Sequence, residues 1–344
     1  MFRVGIIGCG NIYRMHAVTL STMENVKIVA VCDNKEDRAK DAAQKYGCKY
    51  YTDYKEMIQK EDLDVIHICT PHYLHPEMAI ETARNGINIL TEKPMSIKLE
   101  DAEAMIKAAK DNHVVLGVIF QNRYNPGSKL IKQTLQSGKL GKLISGRALV
   151  AWSRSDEYYS KSDWKGTWEK EGGGVIIDQA IHTLDLLRWF VDDEIEYVDA
   201  NISNRAHEIV EVEDSAEGVI KYKNGVLTGF NAINYYGYDA PVEIELYCEN
   251  GVAQMTGHHA LIKFNDFTEI SADRNPNEGE HYGNGYKRYW GSGHKEQIKQ
   301  YYAALENKAP LDVTGDEAVK TQRMICAIYD SGKSNKRIYF NKER

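Results

Sequence analysis

The stretch Phe2–Ala17, F-R-V-G-I-I-G-C-G-N-I-Y-R-M-H-A, constrains the fold more than any other part of this 344-residue chain. Val4, Ile6 and Ile7 form the short apolar run of a strand buried on both faces. Gly8 and Gly10 follow at once, and a helix-compatible segment begins near Ile12. Glycines between a strand and a helix let backbone N–H groups approach a pyrophosphate, where the helix dipole favours negative charge. Gly8, Gly10, Asn11 and Ile12 are therefore candidate cofactor contacts. The G-x-G-x-x-G pattern is incomplete, because Tyr13 stands at its third small position, and an ordinary tight βα turn reads the same way. The next apolar run, Val26–Cys32, ends in Asp33. A carboxylate at the tip of a second strand accepts both ribose hydroxyls of an adenosine and repels a 2′-phosphate, so NAD is expected ahead of NADP. Lys35 and Arg38 stand close enough to soften that bias, and Arg38 joins the candidate cofactor residues.

The same alternation continues. Lys35–Tyr46 reads as a helix stopped by Gly47, and Tyr54–Lys60 as a short one capped by Asp53. Val65–Cys69 is a third buried strand, followed by the loop Thr70–His75. Pro76 opens a helix that ends at Asn85-Gly86, the proline-in, glycine-out asymmetry of helix ends. Asn88–Thr91 and Val114–Ile119 supply two more strands around the helix Leu99–Asp111. Strands alternating with helices imply a parallel sheet, which binds ligands beyond the carboxyl ends of its strands. Thr70, Pro71, His72, His75, Glu92, Lys93 and Asn122 fall at those ends and are candidates for the cofactor.

The pattern changes after Asn125-Pro126-Gly127. Leu143–Trp152, Ile195–Ser203, Asp214–Tyr222, Val226–Asn234 and Val242–Cys248 have the period-two character of antiparallel strands, and Lys223-Asn224-Gly225 is a hairpin signal. Val242, Ile244 and Leu246 face one side and Glu243, Glu245 and Tyr247 the other, which describes a sheet with one covered and one open face. One helix, roughly Gly174–Phe190, lies within this region, and two more close the chain. Two domains are expected, 1–121 for the dinucleotide and 122–344 for substrate binding and oligomerisation.

Composition limits the partners. A net charge of −7 and the lack of a basic run argue against nucleic acid or an anionic membrane surface. The six cysteines form no C-x-x-C pair, and several sit in apolar strands, so free thiols are expected. The first residues already belong to a strand and no long apolar run follows. Neither a signal peptide nor a membrane span is expected, and the cytoplasm is the expected compartment.

Chemistry concentrates at two places. Lys93, where a strand exits, can protonate or hydrogen-bond a substrate oxygen. Gly172-Gly173-Gly174 opens a helix with Asp178 and His182 four residues apart, hence on one face. A carboxylate beside an imidazole fixes its tautomer and raises its basicity, as a base for alcohol oxidation requires. His72 and His75 have a spacing open to metal, and Asp178 and His182 could ligate zinc, but no third ligand stands at a recognisable spacing and no metal is expected. The loop Trp152–Trp168 mixes aromatic and polar groups and suits a sugar ring, with Arg154 and Trp164 as candidate contacts.

Together, G-C-G-N-I with His16, C-T-P-H-Y-L-H (Cys69–His75), E-K-P (Glu92–Pro94), Q-N-R-Y-N-P (Gln121–Pro126) and G-G-G-V-I-I-D-Q-A-I-H-T-L-D (Gly172–Asp185) resemble the glucose–fructose oxidoreductase / inositol dehydrogenase / rhizopine-catabolism (Gfo/Idh/MocA) family. The resemblance implies an α/β Rossmann domain and an α+β domain with an open-faced, mostly antiparallel sheet. It implies NAD(P)-linked oxidation of a sugar or cyclitol carbinol, with Lys93, Asp178 and His182 at the catalytic positions. It also implies a cis Lys93–Pro94 peptide and a homodimer or homotetramer built through the open sheet. The W-x-G-T-W…G-G-G run is similar to dehydrogenases acting on the 3-hydroxyl of sugar nucleotides or glycosides. Two alternatives share the fold: a redox-type glycosidase that releases sugar without net NADH, and a non-catalytic NAD-sensing regulator.

Overall fold

The computed structural model describes residues 1–273 and 293–340. They form two compact units. Met1–Gln121 and the described residues of 277–320 make the first, and the described residues of 122–276 and 321–344 make the second.

The first unit is a six-stranded sheet. Its elements are β1 (Phe2–Ile7), α1 (Tyr13–Ser21), β2 (Val26–Cys32), α2 (Glu36–Tyr46), β3 (Lys49–Tyr51), α3 (Tyr54–Lys60), β4 (Val65–Ile68), α4 (His75–Arg84), β5 (Asn88–Thr91), α5 (Leu99–Asp111) and β6 (Leu116–Val118). All pairs are parallel, in the order β3-β2-β1-β4-β5-β6. This is the doubly wound order of dinucleotide-binding folds, with its crevice where the order reverses between β1 and β4. The edge strand β3 has no counterpart in the sequence reading. Its three residues are exposed or half-buried, so no apolar run marks it. Local signals act as expected: Asp53 accepts from the Lys55 N–H at 2.8 Å, and Gly47 ends α2 at φ +62.

In the second unit, α6 (Pro126–Gln136), β7 (Leu143–Ala151), α7 (Asp156–Ser160), a π-helical turn (Val175–Ala180) and α8 (Ile181–Val191) precede the strands β8 (Ile195–Ser203), β9 (Ser215–Tyr222), β10 (Leu227–Ile233), β11 (Glu243–Cys248), β12 (Gly251–Thr256), β13 (His259–Phe264) and β14 (Glu269–Ala272). After α9 (Gly293–Leu305) and α10 (Gly315–Ser334), β15 (Ile338–Tyr339) completes a nine-stranded sheet, ordered β14-β13-β12-β11-β7-β10-β9-β8-β15. Every pair is antiparallel except β7 with β10. Ala148, Val150, Phe230, Ala232, Ile244 and Leu246 are buried on one face, whereas Arg147, Asn231, Glu243 and Tyr247 are exposed. On the accessible face Arg147 pairs with Glu245 at 2.7 Å.

The structure corrects the division into two consecutive domains, since α9 belongs to the first unit. It buries Ile298, Tyr301 and Tyr302 in the core cluster with Val4, Leu20, Leu90 and Ile119. A buried aromatic side chain removes roughly 150–250 Å² from water, which makes these tyrosines among the largest contributors to that core. β6 accommodates them through Gly117, where a Cβ would approach Tyr301 Cδ2 to 2.8 Å. All six cysteines are free thiols, three of them buried. Among the described residues no helix is long and apolar enough to cross a membrane.

Candidate active site

In the first unit the candidate residues gather around the β1/β4 crevice. Gly8 has φ +93, and a Cβ there would lie 2.6 Å from the Cys69 carbonyl oxygen, so glycine is required where the loops after β1 and β4 meet. A Cβ on Gly10 would meet nothing within 4 Å. Ile12 is the N-cap of α1 and its own side chain makes no capping bond to the helix's first amides. Tyr13 turns inward and joins the core cluster, which explains its presence at a usually small position. Asp33 sits beside this turn, accepting from the N–H groups of Cys9 (2.8 Å) and Lys35 (2.9 Å). Arg38 is exposed on the first turn of α2, Asn11 is exposed, and Thr70 and Pro71 are half-buried.

Three of the expected cofactor residues, His72, His75 and Glu92, are buried. His75 places Nδ1 2.7 Å from the Pro94 carbonyl and Nε2 2.8 Å from the Thr70 carbonyl, tying the loop after β4 to the loop after β5. His72 is buried, its ring 6.1 Å from that of His75. Glu92 is 6% exposed, and its Oε1 receives His16 Nε2 at 3.0 Å and His294 Nε2 at 3.2 Å. A carboxylate only accepts, so both imidazoles donate. His16 Nδ1 and His67 Nδ1 are hydrogen-bonded at 2.8 Å, and His67 Nε2 and the Tyr302 hydroxyl at 2.9 Å. One hydrogen-bonded chain thus links Tyr302 to Glu92. Burial disfavours the Glu92 carboxylate, but the bonds from His16 and His294 outweigh it and hold its pKa well below the ordinary value. Burial pushes His67 and His294 down, consistent with neutral rings. One ring nitrogen each of His16 and His294 and a carboxylate oxygen of Glu92 lie within 4.8 Å of one another. Glu92 Oε2 takes the Lys93 N–H at 3.2 Å, and the Lys93–Pro94 peptide is cis. The half-buried Lys93 therefore stands on a doubly anchored turn.

The second unit carries Asp178 and His182. The expected continuous helix is replaced by the π-helical turn Val175–Ala180 running into α8, so Asp178 lies on the turn and the half-buried His182 near the start of the α-helix. Glu213 organises this entry. It accepts from the N–H groups of Gly174 (2.9 Å) and Ile176 (3.0 Å) and from the Tyr329 hydroxyl (2.9 Å). Burial pushes its pKa up to about 7, against the effect of those donors. The glycines permit the packing: a Cβ on Gly173 would lie 1.9 Å from the Tyr329 hydroxyl, and one on Gly174 2.0 Å from the Glu213 carbonyl oxygen. Three donors converge on Asp178 Oδ2: Lys165 Nζ (2.5 Å), Gln179 Nε2 (2.7 Å) and the Tyr158 hydroxyl (2.9 Å).

The aromatic loop is held by contacts of its own. Arg154 is bound to Asp239 (2.8 Å) and lies over the Trp152 and Tyr158 rings, while Trp164 presents its face to Lys165 at 4.5 Å. Asn122 is half-buried with its Oδ1 enclosed and unbonded, and the neighbouring Arg123 forms a buried bidentate pair with Asp185 at 2.6 and 2.7 Å. Lys165, Glu171, Glu213, His67, His294 and Tyr302 escaped sequence reasoning, because their partners are distant in sequence or lie in irregular loops. Lys165 carried a signal as the cation inside W-K-G-T-W, and His294 one as part of G-H-K-E-Q-I (Gly293–Ile298), a run that also fits the family.

The model of the oxidoreductase family with NAD-binding Rossmann fold (GFO_IDH_MocA) matches residues 2–120, and that of the GFO/IDH/MocA C-terminal domain matches residues 129–254. The chain belongs to the Gfo/Idh/MocA family. The myo-inositol 2-dehydrogenase of Thermotoga maritima is 26% identical over 321 residues, 92% of this chain and 91% of that protein. Levoglucosan dehydrogenase of Pseudarthrobacter phenanthrenivorans is 27% identical, over 72% of each chain. The WlbA dehydrogenase from Bordetella pertussis, solved with NADH and UDP-GlcNAcA, has a TM-score of 0.86 at 26% identity, covering 99% of both chains. This Gfo/Idh/MocA protein stands among NAD-linked dehydrogenases of sugars and cyclitols.

Proposed function

We propose that this Gfo/Idh/MocA protein oxidises a secondary hydroxyl of a sugar, sugar derivative or cyclitol, with the 3-hydroxyl of a glycoside or sugar nucleotide as the favoured position. The observation that carries this reading is the Asp178 carboxylate, fixed by three donors on one oxygen four residues before His182. His182 takes the hydroxyl proton. Asp178 orients the imidazole and stabilises its charged form. Lys93, on its anchored turn, is the candidate cation to offset negative charge developing on a substrate oxygen.

The residues around the β1/β4 crevice fit a dinucleotide. The open position at Gly10 and the uncapped start of α1 suit a pyrophosphate, and Asp33 suits an unphosphorylated ribose. Bound NAD supplies the hydride acceptor.

The test is turnover of NAD with myo-inositol, levoglucosan and UDP-GlcNAcA, with absorbance at the NADH band and free sugar release followed in parallel. NADH formation with one of them, abolished in His182→Asn, is the expected result. Sugar release without NADH would replace the reading with redox-assisted glycoside cleavage. Cofactor binding without any turnover would replace it with NAD sensing.

A further inference from the structure

The loop that precedes the triple glycine holds a cation to which the proposed reaction gives no step of its own. Lys165 Nζ lies 2.5 Å from Asp178 Oδ2 and 3.3 Å from Glu171 Oε1. The faces of Trp164 and Tyr158 flank it, with ring centroids at 4.5 and 4.9 Å. Its side chain is only 15% exposed. Such a cage favours a cation through the ring quadrupoles and excludes the water that would screen it. Burial opposes the ammonium form, but Asp178, Tyr158 and Glu171 outweigh it and hold the Lys165 pKa well above its ordinary value.

The surroundings of this pair are built rather than incidental. Glu171 is fully buried and accepts from the Gly166 N–H at 2.5 Å, holding the turn that follows the lysine. Gly166 has φ +78, the left-handed region that glycine occupies without strain. Gln179, the third donor to Asp178, is tied to Asn234 at 3.1 Å, and Asn234 also meets the Tyr159 hydroxyl at 2.8 Å. The ionisable groups facing Lys165 are thus Asp178, Glu171 and Tyr158, with Tyr159 behind them. Burial and the charge of Asp178 push the Glu171 carboxyl up while Lys165 opposes the shift.

We infer that Lys165 is a positioning residue: its ammonium pins the Asp178 carboxylate by one oxygen and supplies its counter-charge, which fixes how Asp178 acts on His182. This rests on the reading of Asp178 and His182 as the proton-handling pair. The W-K-G-T-W motif then serves the carboxylate as well as any ligand, with Trp164 from the motif and Tyr158 from α7 as the two aromatic walls beside the lysine. Removing the cation acts in one direction on both neighbours. Asp178 becomes easier to protonate, and its uncompensated charge makes His182 hold a proton more tightly.

Carboxyl ¹³C NMR over a pH titration tests this without any substrate, the Asp178 resonance being the one lost in Asp178→Asn. In Lys165→Met the Asp178 titration moves up by about 1–3 pH units, as expected for a carboxylate losing an adjacent cation. In Lys165→Arg it stays in place. An unmoved titration in Lys165→Met overturns the proposal. If Lys165→Met fails to fold by circular dichroism, Lys165→Gln replaces it, with the same expected shift and the same overturning result.

Turnover gives the second readout, using whichever of myo-inositol, levoglucosan or UDP-GlcNAcA is oxidised. Lys165→Met lowers kcat by about tenfold or more, moves the acid limb of kcat/KM to higher pH, and leaves NADH affinity unchanged. In an Asp178→Asn background the same substitution adds little, whereas a purely structural lysine would show its full cost again. Wild-type turnover in Asp178→Asn means that the acid–base reading has failed. Loss of turnover in Asp178→Asn with wild-type kinetics in Lys165→Met means that the positioning role alone has failed.

Discussion

Glu213→Gln isolates the group that holds the entry to the Asp178 turn. In the folded protein the carboxyl is buried, with its pKa raised from 4.5 to about 7. Between these values the folded state keeps a proton that the unfolded chain has released, so stability falls as pH rises. Two and a half units at about 1.36 kcal/mol each give an upper limit of about 3.4 kcal/mol. Between pH 5 and 8 the same linkage gives a loss of about 2.5 kcal/mol from this carboxyl. Glutamine cannot ionise, so the variant lacks this slope. Its amide can keep the bonds from Ile176 and Tyr329 to one oxygen but sets a donor against the Gly174 N–H, at a cost of about 1–3 kcal/mol. The variant is therefore expected to be clearly less stable than wild type at pH 5, with the gap closing or reversing by pH 8. Urea unfolding at the two pH values, followed by tryptophan fluorescence, measures this, since Trp168 stacks edge-on against Tyr329 at 5.3 Å. Equal pH slopes in the two proteins would refute the reasoning.

Other expectations follow from the same geometry. His182→Asn should keep NAD binding and lose about 10²–10⁴-fold in kcat, as removal of a general base does; steady-state kinetics with a tight-binding check on NADH decides it. Asp33→Ala should narrow the preference for NAD over NADP and also loosen the glycine turn, because the Cys9 and Lys35 N–H groups lose their acceptor; kcat/KM with each cofactor reads the first effect. Gly174→Ala should fail to accumulate as folded protein, since a Cβ would sit 2.0 Å from a backbone oxygen with no flexible side chain to move; soluble yield and circular dichroism report this. We further propose that the accessible face of the nine-stranded sheet joins two or four copies, so light scattering at micromolar concentration should give a dimer or tetramer, and a monomer would count against it.

What the sequence determined by itself is local. Alternating apolar runs and helices prescribe a parallel sheet, because each run is too short to be anything but a buried strand and each connection is long enough for a crossover helix. Gly8, Gly47 and Gly225 mark positions of positive φ, and Lys223-Asn224-Gly225 closes the β9–β10 hairpin as its composition requires. Lys93, Asp178 and His182 were legible because each belongs to a short motif. Tertiary structure alone decided what those motifs lean on. Nothing in positions 16, 67, 92, 294 and 302 has a spacing to announce that His16, His67, Glu92, His294 and Tyr302 form one hydrogen-bonded chain beneath Lys93. The helical pattern through Asp178 shows no sign of the π-turn, which accompanies the binding of the Gly174 and Ile176 amides at its start by Glu213, 39 and 37 residues onward. Sequence period reports which face of an element is apolar, whereas the partner of a buried charge depends on which distant segments the core brings together. Lys165 was therefore visible as a residue of an aromatic loop, and only the folded chain shows it bound to Asp178.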